Sequence, residues 1–144
     1  MGLEPLQGVV MINAFACHLG CMDGRIQDAA FLHVRTNYDV EWVDIITEPG
    51  INKILAENID AAVIQRIKEK IQISIRHHGS NVVFISGHAE CAGNPAGKKE
   101  QMEHLRNAKK IVESFGFGAD IVLLWIENDW ITVEEIDQAL IETK

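Results

Sequence analysis

The sequence has little positive charge and no long hydrophobic run. Its 144 residues include 13 Lys and Arg against 21 Asp and Glu, which gives a formal net charge of −8. Nucleic acid and anionic membrane surfaces are therefore not expected as partners, because both are bound mainly through clustered basic side chains. No apolar run approaches the roughly 20 residues that a membrane-spanning helix needs, so no membrane partner is expected.

Basic residues are also missing from the first segment of the sequence, and cysteine is scarce. The segment MGLEPLQ, residues 1–7, contains an acid and no Lys or Arg, unlike the basic start of a secretion signal. Three cysteines are an odd number and do not suggest a disulfide framework. We therefore expect a cytoplasmic protein with reduced thiols, in which cysteines more often serve metal binding or catalysis.

Apolar runs alternate with amphipathic segments along the chain. We predict strands at residues 9–21, 40–47, 81–86 and 119–127, and helices at residues 26–36, 52–78, 96–115 and 133–142. Such alternation is typical of a parallel sheet with helices on both faces. The predicted fold is α/β, a single domain over residues 1–144 with a mostly parallel sheet of about four strands.

Two of these helices are predicted from specific signals. Within residues 52–78, apolar side chains recur every four positions, which is close to the helical period. These residues are Ile59, Val63, Ile67, Ile71 and Ile75. Gly79 follows them as a typical helix C-terminal residue. Thr132 followed by Glu135 matches a capping box, which predicts the start of the last helix.

Two polar stretches directly follow predicted strands. GCMDGRI (20–26) follows the first strand and SGHAECAGNP (86–95) follows the third. Parallel α/β sheets bind ligands beyond the carboxyl ends of their strands, where the strand order reverses. In the simplest doubly wound order the first and third strands are neighbours at that point. We therefore expect the two stretches to form one site.

The residues of these stretches suit a zinc ion. Two thiolates and one imidazole match Zn²⁺, and three protein ligands leave a fourth position open, as in catalytic sites. His88 and Cys91 are three residues apart, so the first turn of the following helix could direct both at one point. We predict Cys21, His88 and Cys91 as the metal ligands. Cys17 would lie about 13 Å from Cys21 along a strand and is expected in the core.

Asp23 and Arg25 lie beside Cys21 and are the predicted catalytic residues. Arg25 could hold Asp23 by two hydrogen bonds and keep it ionised. Asp23 could then accept a hydrogen bond from a zinc-bound water and orient it, or swing onto the metal and close the site. A purely structural ion pair that closes a turn is the alternative.

The motifs C-x-D-x-R (CMDGR, 21–25) and H-x-x-C (HAEC, 88–91) together resemble the β-class carbonic anhydrases. The resemblance covers most of the chain. It implies that Cys21, His88 and Cys91 hold Zn²⁺ and that the Asp23–Arg25 pair orients zinc-bound hydroxide. It also implies a lyase that reversibly hydrates carbon dioxide to bicarbonate, and a homodimer or higher homo-oligomer.

One segment departs from that family, and two other functions stay open. The family usually carries Arg-x-Ala-Gly-Asn after its second strand, whereas residues 47–54 are TEPGINKI and keep one Gly of that pattern. This difference favours, as an alternative, a non-catalytic zinc-binding module that acts as a sensor or assembly partner. The same scaffold could instead hydrolyse CS2 or COS, which are also small linear molecules.

Overall fold

The computed structural model of the protein describes residues 14–136. In chain order its elements are β1 (Phe15–Gly20), a 3-10 helix (Gly24–Ile26), α1 (Gln27–Asn37), β2 (Trp42–Thr47), α2 (Ile51–Glu57), α3 (Ala61–His78), β3 (Val82–His88), α4 (Lys98–Ser114), β4 (Asp120–Ile126) and β5 (Val133–Ile136). Residues 9–13 of the first predicted strand and 137–142 of the last predicted helix lie outside this range.

One mixed sheet runs through the described chain in the order β2-β1-β3-β4-β5. Strands β1 to β4 are parallel, and β5 pairs with β4 in the antiparallel direction. The predicted α/β fold with a mostly parallel sheet is confirmed, with five strands instead of about four. Because β1 and β3 pair directly, the polar stretches that follow them emerge side by side at one edge of the sheet.

Helices cover both faces of the sheet, as predicted. The buried apolar side chains of α2, α3 and α4 pack on one face, where Leu55, Ile67 and Leu105 are inaccessible to solvent or nearly so. Helix α1 covers the other face, where Val34 packs with Phe84 of β3. None of the helices within residues 14–136 is long and apolar enough to cross a membrane.

The predicted final helix is wrong over residues 133–136, which form strand β5. Thr132 does not cap a helix, because its hydroxyl donates to the Asp129 carboxylate at 2.5 Å. Asp129 also accepts from the backbone N–H groups of Ile131 and Thr132. The turn thus formed directs residues 133–136 along the free edge of β4, so strand pairing prevails over a local helix signal.

The single helix predicted over residues 52–78 is two helices, α2 and α3. Helix α2 ends at Glu57, because the next residue, Asn58, adopts a left-handed conformation with φ 51°. Asp60 then caps α3 by accepting a hydrogen bond from the backbone N–H of Val63 at 3.2 Å. Ile59 lies in the break and is 81% exposed, so it does not belong to the apolar stripe. The predicted end of α3 at Gly79 is confirmed.

Candidate metal centre

Cys21, His88 and Cys91 lie together at the carboxyl ends of β1 and β3. One ligand atom from each residue lies within 4.8 Å of the others, and all three residues are buried. Cys21 directly follows β1, and His88 is the last residue of β3. Cys91 lies in the turn after β3 and not in the next helix, because α4 begins only at Lys98. The prediction that a helical turn would direct His88 and Cys91 is therefore wrong.

The His88 ring is prepared to bind a cation through one nitrogen. Its Nδ1 lies 2.7 Å from the carbonyl oxygen of Ala89, and a carbonyl can only accept, so Nδ1 carries the proton. Nε2 therefore presents a lone pair. It is buried and has no hydrogen-bond partner within residues 14–136. Burial lowers the pKa of His88, which favours the neutral ring that a metal requires.

The two sulfur atoms have the separation expected for a shared tetrahedral ion. Cys21 Sγ and Cys91 Sγ are 3.7 Å apart, and both cysteines are free. A disulfide would need about 2.05 Å. Two sulfurs on one tetrahedral zinc, each at about 2.3 Å from it, lie about 3.8 Å apart. The donor set of two sulfurs and one imidazole nitrogen therefore fits zinc.

Backbone N–H groups surround the sulfur atoms. The Gly50 N–H donates to Cys21 Sγ at 3.5 Å. Burial, together with Cys21, raises the pKa of Cys91, whereas N–H groups of Asn94 and Gly93 act in the opposite direction. The Gly50 and Gly93 backbones touch, since a Cβ added at Gly93 would lie 2.6 Å from the Gly50 nitrogen and one added at Gly50 would lie 2.5 Å from the Gly93 carbonyl oxygen. Glycine is required here for this close approach.

Asp23 and Arg25 form a clamp beside the three buried residues. Arg25 Nη2 donates to Asp23 Oδ2 at 2.8 Å, and Arg25 Nε donates to Oδ1 at 3.1 Å. The Arg25 backbone N–H also donates to Oδ1 at 2.9 Å. These bonds from Arg25 lower the pKa of Asp23 to about 2, so the carboxylate is ionised at neutral pH. Both of its oxygens are held by Arg25.

Two residues that were not predicted as part of the site, Glu90 and Trp130, hold Arg25 from its other sides. Glu90 accepts from Arg25 through its side chain and its carbonyl, each at 3.3 Å. The Trp130 ring lies 4.1 Å from Arg25 Cζ, and its centroid is 6.2 Å from that of His88. Glu90 and Trp130 both have positive φ angles, 57° and 59°. Such strained backbone is common at functional sites. A signal in the sequence could have indicated Glu90 as a site residue, because it lies between the predicted ligands His88 and Cys91.

Together these contacts define what the centre can do. It can hold one divalent cation through two thiolates and an imidazole, with an ionised carboxylate fixed nearby by a guanidinium. Cys17 is outside the centre and fully buried in the core, as predicted. This arrangement is suited to a polar reaction of a small molecule at a metal with an open position.

Comparison with known protein families gives a match over most of the chain. A family described as "Putative carbonic anhydrase" matches residues 11–137. Comparison with curated proteins gives no match.

Solved structures share the fold at low sequence identity. The β-carbonic anhydrase isoform I of Trichomonas vaginalis is 17% identical, with a TM-score of 0.55, and the match covers 94% of this chain and 87% of that one. One of two tetrameric β-carbonic anhydrases from the ascomycete Sordaria macrospora is 13% identical, with a TM-score of 0.50, over 85% of this chain and 81% of that one. At these identities the similarity shows the fold.

Proposed function

The chain belongs to the family described as "Putative carbonic anhydrase", and from this membership we propose that it is a zinc-dependent lyase that reversibly hydrates carbon dioxide to bicarbonate. The observation that carries the proposal is the buried Nε2 of His88, which has no partner in the described part of the chain and lies in a cluster with the sulfurs of Cys21 and Cys91. A buried polar atom without a partner is unfavourable, and a metal bond would satisfy it.

Cys21, His88 and Cys91 would hold the ion. Zinc, when bound, supplies Lewis acidity that makes water a nucleophile near neutral pH. Two thiolates balance the charge of the ion, so this centre acidifies water less than a site of three neutral histidines would. A fixed hydrogen-bond acceptor that orients the attacking water is correspondingly more important.

Asp23 is that acceptor in our proposal. Its carboxylate is ionised and is held in place by Arg25, which is itself fixed by Glu90 and Trp130. Asp23 accepts a hydrogen bond from the water and so directs an oxygen lone pair at the carbon of CO2. The C–O bond that forms converts CO2 and water to bicarbonate, and one proton leaves to solvent. Because Arg25 occupies both Asp23 oxygens, the structure favours an Asp23 that stays off the metal.

Stopped-flow CO2 hydration by the zinc-loaded protein between pH 7 and 9 tests this function. We expect Asp23→Asn to keep zinc and to lose activity by about 10- to 100-fold, as for other residues that orient groups at a metal. Asp39→Asn is the matched control, because Asp39 is an exposed carboxylate in the turn before β2. If the zinc-loaded wild type hydrates CO2 no faster than buffer does, the lyase is excluded and the non-catalytic zinc-binding module becomes the better proposal. Turnover of CS2 or COS without CO2 hydration would assign the hydrolase instead.

We also propose a homo-oligomer and a cytoplasmic location. A groove of about 590 Å³ lies between α1 and the segment before β5, and apolar side chains beside it are exposed, with Leu32 at 60% and Ile131 at 78%. A second copy of the chain would cover them, and the matched Sordaria protein is tetrameric. Sedimentation at micromolar concentration should show a dimer or larger species.

The proposed cytoplasmic location rests on the cysteines, since free thiols suit a reducing compartment. Cell fractionation would test it.

A further inference from the structure

Three buried amide side chains lie beside the metal centre and have no part in the chemistry described above. They are Asn52 of α2, Asn94 of the turn after β3 and Gln101 of α4, and each is at most 2% exposed. Burying an amide is unfavourable unless its hydrogen bonds are made. The partners of these amides therefore show what the cluster holds in place.

Gln101 ties together the turn that carries two of the proposed ligands. Its Nε2 lies within hydrogen-bond distance of three backbone carbonyl oxygens, those of His88 at 3.0 Å, Asn94 at 3.2 Å and Ala96 at 3.1 Å. One side chain thus fixes the start, the middle and the end of the segment from β3 to α4. Cys91 lies between the first two of these attachment points.

Asn52 connects this turn to the other half of the centre. Its Nδ2 donates to Gln101 Oε1 at 3.1 Å, and its Oδ1 accepts from Asn94 Nδ2 at 3.2 Å. Two residues earlier, Gly50 donates its N–H to Cys21 Sγ. The start of α2 therefore contacts Cys21 on one side and the His88–Asn94 turn on the other. This is the segment, residues 47–54, that departs from the β-class pattern.

We propose that Asn52 and Gln101 are positioning residues for the metal ligands. They hold the His88–Asn94 turn at a fixed distance from Cys21, so that the two sulfurs and the imidazole are already grouped before an ion binds. An apolar side chain would fill the same space, but it would leave the three carbonyl oxygens without donors and the turn without directional contacts. The inference rests on the proposed function, because it assumes that the three residues bind a metal.

Metal titration of near-isosteric variants tests this inference. Gln101→Glu and Asn52→Asp keep the size of the side chain and replace the donating amide nitrogen with an oxygen. The matched control is Gln65→Glu, since Gln65 is exposed on α3 and donates a hydrogen bond to Glu69 in the same helix. Zinc affinity is measured by chelator competition, and Co²⁺ is used as a spectroscopic probe of ligand geometry. Thermal melts of the metal-free proteins measure stability separately.

We expect both variants to bind Zn²⁺ about 10- to 100-fold more weakly, with altered Co²⁺ d–d bands, while the control matches the wild type. Wild-type affinity and spectrum in the folded variants would overturn the inference, even if their melting temperatures fall, because the amides would then serve packing alone. If neither variant folds with excess zinc, the cluster serves the whole fold and the inference is also wrong.

The outcomes for the inference and for the proposed function are distinguishable. A wild-type chain that binds neither Zn²⁺ nor Co²⁺ overturns both. A wild-type chain that binds metal but does not hydrate CO2 overturns the lyase alone, provided that the variants lose affinity as expected. Unchanged affinity in the variants of an active wild-type enzyme overturns the positioning role alone.

Discussion

Replacing Cys91 with serine tests the metal centre most directly. Cys91 is 3% exposed, and its Sγ lies 3.7 Å from that of Cys21. Zinc binding by four protein ligands releases about 10–16 kcal/mol, or about 2.5–4 kcal/mol for each ligand. Loss of one thiolate should therefore weaken zinc binding by roughly 10²- to 10³-fold.

The effect can be measured as a change in thermal stability, because zinc stabilises only the state that binds it. At free zinc 1,000 times above Kd the wild type should gain about 4 kcal/mol, which for a domain of this size raises Tm by roughly 8–16 °C. At the same free zinc, Cys91→Ser should retain only about 0.4–1.4 kcal/mol, or roughly 1–6 °C. Differential scanning calorimetry in a zinc buffer and in chelator gives both values.

Cys17→Ser is the matched control for this experiment. Cys17 is also a buried thiol, but it lies in the core, and burial raises its pKa to about 12. Cys17→Ser should lose about 1–3 kcal/mol of stability with or without zinc and keep the full zinc-dependent increase in Tm. The reasoning fails if Cys91→Ser keeps the wild-type increase or if Cys17→Ser loses it.

Three further predictions concern Trp130, protonation of Cys91 and the Asp23–Arg25 clamp. Trp130→Leu removes the ring beside Arg25 and should lower kcat for CO2 hydration about 2- to 5-fold at unchanged zinc affinity, measured by stopped flow and metal titration; an unchanged kcat contradicts this. Because burial raises the pKa of Cys91, a proton competes with zinc, so affinity measured by chelator competition should increase from pH 6 to 8, and a flat profile would count against the thiolate ligand. Arg25 lowers the pKa of Asp23 from 3.8 to about 2, so the ionised carboxylate stabilises the fold above pH 3.8 and this contribution is lost as pH falls towards 2. Urea midpoints of Asp23→Asn should vary less across that window than those of the wild type.

The four parallel strands and the grouping of the three proposed ligands could be predicted from the sequence, because both follow from local signals and one topological rule. Apolar runs mark the strands, and parallel sheets present their strand ends at one edge. Cys21 and His88 lie at the ends of neighbouring strands, so their proximity required no knowledge of side-chain packing. Periodicity alone could not predict the helix break at Asn58, because the apolar side chains recur every four residues on both sides of it.

Strand β5 and the amide cluster could not be predicted because tertiary contacts determine them. Residues 133–136 carry a helix start signal, and only the free edge of β4 makes them a strand. Gln101 occurs in a polar, lysine-rich segment, where a glutamine usually faces solvent. Its burial against three carbonyl oxygens depends on the path of the preceding turn, which no motif in the sequence encodes.

If the centre binds zinc as proposed, the pairing of β1 with β3 also sets the order in which the ligands come together during folding. His88 and Cys91 are neighbours in the sequence, whereas Cys21 and Cys91 are 70 residues apart. Before the two strands pair, a bound ion would be held by only two donors close in sequence and would exchange quickly. The third donor, Cys21, would join when β1 and β3 come into register, so that a retained ion would indicate a completed sheet.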